Sequence, residues 1–215
     1  MKVEMHLHAK DLLEELSAEE IISTYKQAGY DAIVTTDVFK RRDFEKKGLT
    51  LEKFFEPFSR LFQASIQSGI SVLPGAELDH GGHFLIYGLM PTQFHELISL
   101  KTFSTILAHI HNCGGTIIQA HPFRVKNELF WHQLNLNADG FEIFNGAGYN
   151  DNNELSQQAA DMMGKIKVVG SDVHGPTSCC KTYMNLDFNN YQDFVSNLAK
   201  TKDISSQQVI ANSAS

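Results

Sequence analysis

Cysteine is scarce in this chain and badly placed for cross-linking. Of the three, Cys179 and Cys180 are neighbours and Cys113 stands alone. Adjacent cysteines are a poor geometry for a disulfide with each other, and an odd count suits a reducing compartment. No CxxC pair occurs, which argues against a thiolate zinc site. No apolar run approaches the ~18 residues of a membrane span, and the opening Met1-Lys2-Val3-Glu4 has no apolar signal core. Positive charge is in deficit, 18 Lys and Arg against 25 Asp and Glu, for a formal net charge of −7. Phosphate backbones select basic faces, so a dedicated nucleic-acid binder is disfavoured. A small phosphorylated substrate is not, because a bound cation reverses the local sign. No internal repeat, linker or low-complexity segment breaks the chain. The expectation is a cytoplasmic protein with no membrane and no nucleic-acid duplex among its partners.

What is present fits one globular domain, since 42% of the 215 residues are hydrophobic. Lys2 to Leu7 reads as a first strand. Near its end stand His6 and His8, two residues apart. On an extended strand such a pair points to one face, about 6–7 Å apart between Cα atoms, and can close on one metal ion. Ser17-Ala18-Glu19-Glu20 is a capping box opening a helix that stops at Gly29. Asp31 to Thr36 is a second strand, apolar throughout its centre as a strand buried on both faces should be, and Asp37 ends it.

A basic loop follows at Lys40-Arg41-Arg42, a candidate rim for an anion. Thr50 to Ser68 has a helical stripe of Phe54, Phe55, Phe58, Leu61, Phe62 and Ile66, with Pro57 predicting a kink or break. The stripe reads as core. Ser71 to Leu73 is a short third strand, left through Pro74-Gly75-Ala76-Glu77. His83 to Gly88 is a fourth, Thr116 to Ala120 a fifth and Gly140 to Phe144 a sixth. Lys167 to Gly170 is a seventh, and Lys181 to Leu186 is a candidate eighth. Helices are predicted over Phe103 to Asn112, Asn152 to Met163 and Tyr191 to Lys200, and a frayed polar tail over 201–215. Strands alternating with helices predict a parallel sheet with right-handed crossovers. Seven such strands favour a closed barrel, with an open sheet as the alternative.

In a parallel barrel, chemistry gathers at the C-terminal strand ends. His6 and His8, Asp37, Glu77, His121, Asp172 and His174 fall there. His83 begins its strand as drawn, so either that boundary is wrong or the strand runs against its neighbours. Each residue alone has a plain explanation as a cap or turn. As a set they point to metal. Imidazole plus carboxylate without thiolate suits Zn, Mn or Fe. Two such ions ~3.5–4 Å apart, bridged by a carboxylate, generate hydroxide at neutral pH.

The ordered segments HLH (His6, His8), TD (Asp37), GAE (Glu77), HFLIYG (His83), AHP (His121), FEIFNG (Glu142) and GSDVHG (Asp172, His174) resemble the PHP family, named for polymerase and histidinol phosphatase. The resemblance covers residues 1 to about 190. It implies a distorted (β/α)7 barrel, two or three divalent metal ions (Zn, Mn or Fe) and hydrolysis of phosphate esters. His6, His8, Glu77 and Asp172 match the ligands of a first metal. Glu77 bridges to a second, completed by His83 and His121. His174 and the neighbourhood of Asp37 match a third site. There the chain departs from the family, with Val38 where a histidine ligand is usual, and Asp11 or Glu14 only roughly spaced for the Asp or His expected after HxH. His174 is then a candidate acid or phosphate ligand, and Asp37 a residue that orients a ligand. Arg124 follows His121-Pro122-Phe123 and is a candidate to hold a phosphate in bidentate fashion, with a surface salt bridge as the alternative. Glu142 and Asn145 read as structural residues of the barrel mouth.

The expectation is therefore a metal-dependent phosphoesterase acting on a small phosphomonoester, with Asp172, His174 and Arg124 at its reacting end. Two rivals stay open. An amidohydrolase-type barrel also opens with HxH and closes with Asp, but usually on a longer chain. A barrel without chemistry, binding metal or a partner, is kept open by Val38.

Overall fold

The computed structural model of the protein describes residues 1–203, apart from 128, 131 and 148–151. The tail expected to fray lies outside the described residues from 204 onward. Its first residues do not fray: Thr201–Asp203 form a 3-10 turn, and the buried Thr201 hydroxyl donates to the Lys167 carbonyl at 2.9 Å.

In chain order the elements are β1 (Lys2–Leu7), α1 (Ala9–Leu12), α2 (Ala18–Gln27), β2 (Ala32–Thr35), β3 (Val38–Phe39), α3 (Arg41–Lys47), α4 (Leu51–Phe54) and α5 (Glu56–Ser65). There follow β4 (Ser71–Asp79), β5 (His83–Tyr87), a 3-10 segment (Pro91–Ile98), α6 (Phe103–Asn112), β6 (Thr116–Gln119), β7 (Val125–Lys126) and β8 (Leu129–Phe130). The last are β9 (Gly140–Asn145), α7 (Asn153–Met163), β10 (Ile166–Gly170), a 3-10 turn (Pro176–Ser178), β11 (Met184–Asn185) and α8 (Tyr191–Leu198).

Seven of these strands are the staves of a distorted, nearly closed α/β barrel, in the order β1, β2, β4, β5, β6, β9, β10. The pairs β1–β2, β2–β4, β6–β9 and β9–β10 are parallel. β5 runs antiparallel to both β4 and β6. The reason is the turn between β4 and β5. His80-Gly81-Gly82 closes it, with His80 N–H donating to the Gly82 carbonyl at 2.9 Å and Gly81 at φ 66°. A parallel return needs a crossover of a dozen or more residues. The reversal explains His83: the start of a reversed strand lies at the same barrel end as the finish of its neighbours.

The barrel closes where the chain after β10 meets β1. Leu7 and Val173 form a parallel bridge, and His8 N–H donates to the Val173 carbonyl at 3.0 Å. Lower on this seam Glu4, fully buried in β1, accepts from the Ser171 N–H at 3.0 Å and the His6 N–H at 3.1 Å. β11 pairs antiparallel with the beginning of β1, Lys2 opposite Asn185. It is a two-residue piece of the strand predicted over Lys181 to Leu186.

Local signals set the helices. The capping box closes as predicted, with Glu20 N–H donating to Ser17 Oγ and Ser17 N–H to Glu20 Oε2. Pro57 breaks the long helical pattern into α4 and α5 and sits in the first turn of α5, where its missing N–H costs nothing. The stripe is only partly core. Phe54, Phe55 and Leu61 are buried, while Phe62 and Ile66 are exposed by 44% and 63%. α2 and α5 pack Ile21, Tyr25 and Leu61 onto Leu7, Ile33 and Val72 of the sheet. The basic stretch expected as a loop forms α3 from Arg41 onward.

β4 is much longer than the three residues predicted. Pro74-Gly75 does not end it. The strand passes from pairing with β2 at Ser71–Pro74 to pairing with β3 at Glu77–Leu78. Gly75 sits at that change of partner, where a Cβ would meet the backbone oxygens of Ile86 at 2.9 Å and Thr35 at 3.0 Å. Glu77 therefore lies within a strand and not in the loop after it.

Candidate metal centre

β1, β4, β5, β6 and the turn after β10 deliver their polar ends to one place. Among the described residues three groups have metal-ligand spacing, each offering one donor atom per residue with those atoms within 4.8 Å of one another: His6, His8 and Glu77; His8, Asp172 and His174; His83, His121 and His132. The Glu77 carboxylate joins the first group to the third. Its Oε1 lies 3.0 Å from His83 Nδ1, 3.2 Å from His121 Nε2 and 3.6 Å from His6 Nε2. Asp172 joins the first group to the second, with Oδ1 3.2 Å from His8 Nε2, 3.4 Å from His6 Nε2 and 3.2 Å from His174 Nε2. Both carboxylates are buried.

Two of the donor residues sit in strained backbone. His121 has φ 30° and Asp172 φ 51°, in the left-handed region that side chains other than glycine seldom adopt. Such strain persists only where surroundings enforce it, and it clusters at functional sites. Here it turns each side chain inward just as its strand ends.

Glu142 is more than a structural residue of the mouth. It is buried on β9, and its Oε1 accepts from His6 Nδ1 at 2.8 Å. Its Oε2 accepts from the His121 N–H and from Asn145 Nδ2, each at 2.9 Å. The carboxylate thereby fixes the His6 ring so that Nε2 faces the centre. Gly170 makes room for this pair: a Cβ there would meet His6 Cβ at 2.4 Å and Glu142 Oε1 at 2.6 Å.

The electrostatics fit cations. Burial opposes charge on His6, but the carboxylates of Asp172, Glu142 and Glu77 outweigh it and lift the imidazole to about 10. Burial also works against ionised Glu77 and Asp172, yet the surrounding imidazoles hold both well below the usual carboxylate range. Burial lowers His8. The result is a buried anionic knot that draws in positive charge. His6 Nε2 makes no hydrogen bond among the described residues although two carboxylate oxygens face it. An orphaned imidazole nitrogen between two carboxylates is what a metal ligand looks like before its ion arrives. The donor set of imidazole and ionised carboxylate passes the same test, once His6 gives up its proton.

The remaining predicted residues take different places. His174, about two-fifths exposed, donates from Nδ1 to Asp11 Oδ2 at 2.7 Å and stacks on the His8 ring at 4.0 Å. Asp37 is in none of the three groups. Its buried carboxylate accepts from the Lys10 N–H at 2.8 Å, and burial lifts it to about 7. Val38 pairs in β3 opposite Glu77. Arg124 is not a surface ion pair, since Nη2 donates at 2.7 Å to Oδ2 of the buried Asp172. Arg41 donates to the Leu100 carbonyl and to His80, while Lys40 lines the cavity next to His8. That cavity, about 580 Å³, also has Lys10, Asp37, Lys53 and Arg60 on its walls.

His132 was not singled out from the sequence. It follows two-residue β8 in a stretch without helical or strand period, so no pattern marks it. Burial and the neighbouring imidazoles of His83 and His121 push it down to about 4, which keeps it neutral.

The sequence matches no protein-family model and no curated protein. Solved structures do match. A two-domain protein from Bacteroides vulgatus containing a predicted PHP-like metal-dependent phosphoesterase aligns with a TM-score of 0.69 at 14% identity, over 94% of this chain and 63% of that one. PsfC from Pseudomonas syringae aligns at 0.62 and 18% identity, over 91% of this chain and 87% of that one. An amidohydrolase from Chromobacterium violaceum, with bound sulfate and no metal, aligns at 0.57 and 13% identity over 98% of each. The fold is therefore that of the PHP-like metal-dependent phosphoesterases, the fold that the ordered motifs implied. This chain spans less than two thirds of the length of the two-domain neighbour. No described helix is long and apolar enough to cross a membrane.

Proposed function

We propose that the protein is a metal-dependent hydrolase acting on a small phosphomonoester. One observation carries the reading: Glu77 lies between the pair His6 and His8 and the pair His83 and His121, so one carboxylate serves two sets of imidazoles. Divalent cations in such a centre would activate water at neutral pH and offset charge on a transferring phosphoryl group. His6, His8, Glu77 and Asp172 would hold the first ion. Glu77, His83 and His121 would hold the second. Glu142 keeps His6 in the tautomer that presents Nε2.

The rest of the site supports an anionic substrate. Arg124 is anchored by Asp172 and brings a fixed positive charge to the centre, where phosphoryl oxygens would be stabilised. The cavity beside His8 is within the 300–1,000 Å³ range of small-molecule sites; its wall is mixed in charge, with Lys10, Lys40, Lys53 and Arg60 among Asp11, Glu14, Asp37, Asp43 and Glu56. Val38 offers no donor for a third ion. His8, Asp172 and His174 keep metal-ligand spacing of their own; in this reading His174, held by Asp11 and Asp172 and open to solvent, meets the substrate instead. From there it can give a proton to the leaving oxygen.

The amidohydrolase neighbour supports a second reading, cleavage of a C–N bond in the same centre. Hydrolysis of an aryl phosphate near pH 7, with added Mn²⁺ and again after chelation, separates the two. Turnover abolished by the chelator and restored by Mn²⁺ is the expected result. No phosphate release with any divalent metal, alongside turnover of an amide or nucleobase panel, would replace the phosphoesterase reading with the amidohydrolase one.

A further inference from the structure

The third donor group, His83, His121 and His132, sits on the far side of Glu77 from His6 and His8. The His132 ring centroid is 5.0 Å from that of His83 and 6.2 Å from that of His121. Its place is built into the barrel. Gln119, fully buried at the end of β6, donates from Nε2 to the Gln133 carbonyl at 2.8 Å and accepts the Asn135 N–H on Oε1 at 2.7 Å. One buried amide therefore grips the backbone on the C-terminal side of His132 at two points. A loop that merely passed by would not need such a clamp.

We infer that His132 is a third imidazole ligand of the second cation, and that the two halves of the centre consequently differ in metal preference. The inference rests on the reading that Glu77, His83 and His121 bind an ion. The first set of donors has two imidazoles and two carboxylates, from His6, His8, Glu77 and Asp172. The second has three imidazoles and one carboxylate, from His83, His121, His132 and Glu77. Carboxylate oxygen suits harder ions such as Mn²⁺, and imidazole suits Zn²⁺ and Fe²⁺. The His132 side favours Zn²⁺ or Fe²⁺ over Mn²⁺ more strongly than the Asp172 side does. Both sets offer four protein donors, so the difference between them is one of donor type, and the three-imidazole set is the one that suits a retained zinc. The second ion is the one held longer against a chelator, and Gln119 is a positioning residue for it.

Metal binding tests this without reference to turnover. Zn²⁺ and Mn²⁺ affinities are measured by competition with a chromophoric chelator on the full chain, for wild type, His132→Ala and His132→Cys. Circular dichroism and the metal-free melting temperature show that each variant is folded. In the wild type we expect two Zn²⁺ ions of unequal affinity. Loss of even an outer partner of a ligand costs ~10–100-fold in affinity, so His132→Ala should weaken one Zn²⁺ by at least about tenfold and leave the other unchanged. The Zn²⁺ to Mn²⁺ preference of that site should fall with it. His132→Cys, which supplies a different donor, should recover Zn²⁺ affinity. A merely structural histidine would not be rescued that way. Two Zn²⁺ ions in wild type with unchanged affinities in His132→Ala would overturn this inference alone. A wild type that takes up no second ion would overturn it together with the two-cation reading.

Discussion

His6 shows how much of the candidate centre depends on a residue that does not itself offer it a donor atom. Its Nε2 points between Glu77 and Asp172 because Nδ1 is tied to Glu142. Glu142→Gln has the same shape but puts an amide N–H against either His6 Nδ1–H or the His121 N–H, donor against donor. Metal affinity should fall ~10–100-fold, as for other outer partners of ligating histidines, read by chelator competition; unchanged affinity would mean that His6 is oriented by packing alone. In the metal-free protein His6 is held near 10. Its charge must leave when an ion binds, so uptake at pH 8 should release a proton, seen in weakly buffered solution. The glycine behind this pair gives a third test. Gly170→Ala drives a methyl into His6 and Glu142, an overpacking that typically costs ~1–3 kcal/mol, and the melting temperature and metal affinity should drop together. A fall in stability with metal affinity intact would separate Gly170 from the centre. From sequence, His6, His8, Glu77, His83, His121, Asp172 and His174 could be gathered because each lies at a strand end in a recognisable order. Glu142 could not be given its partner, since the pairing joins residues 136 positions apart. His132 had no local pattern to show.

Among the elements, the well-read ones had a period long enough to see. β1 and α6 have the predicted limits because six and ten residues of alternating or helical pattern mark them. β3, β7 and β8 are two residues each and leave no such trace. Pro74-Gly75 usually ends a strand and so predicts too short a β4, whereas here the glycine lets the strand change partners. The seam between β1 and β10 has a feature that pattern cannot reveal, the buried carboxyl of Glu4. Burial lifts it from 4.5 to about 7 against the pull of the Ser171 and His6 N–H groups. The sign follows from linkage. Between those two values the folded protein holds a proton that the unfolded chain has lost, so stability falls as pH rises through this window. A shift of that size corresponds to about 3 kcal/mol. Glu4→Gln keeps an oxygen to accept both N–H groups and removes the ionisation. The metal-free variant should match wild type near pH 4 and be the more stable of the two at pH 8, by thermal or urea melts at each pH. A difference independent of pH would show that the Glu4 carboxyl is not the titrating group.

At the scale of the molecule, the barrel's ends meet at the candidate metal centre. β1 contributes His6, His8 follows it, β4 contributes Glu77, β5 His83, the turn after β6 His121, and the turn after β10 Asp172. These elements span both sides of the seam, from β1 around the sheet to β10, where the Leu7–Val173 bridge and the Glu4 carboxyl help to close the ring. Cations shared across that set would tie the first stave to the last. The unfolded chain offers no such site, so binding adds directly to folding stability. A free ion at a hundred times its dissociation constant adds ~2.7 kcal/mol, and in a domain of this size each kcal/mol is worth about 2–4 °C. Chelation should therefore lower the melting temperature by roughly 5–10 °C, and Zn²⁺ or Mn²⁺ should restore it. The loss should register at the seam first, as faster amide exchange at Ser171, Val173 and His8, whose N–H groups close the ring. A melting temperature and an exchange pattern that ignore both chelator and metal would mean that the polar knot stands without ions and that the barrel is closed by protein contacts alone.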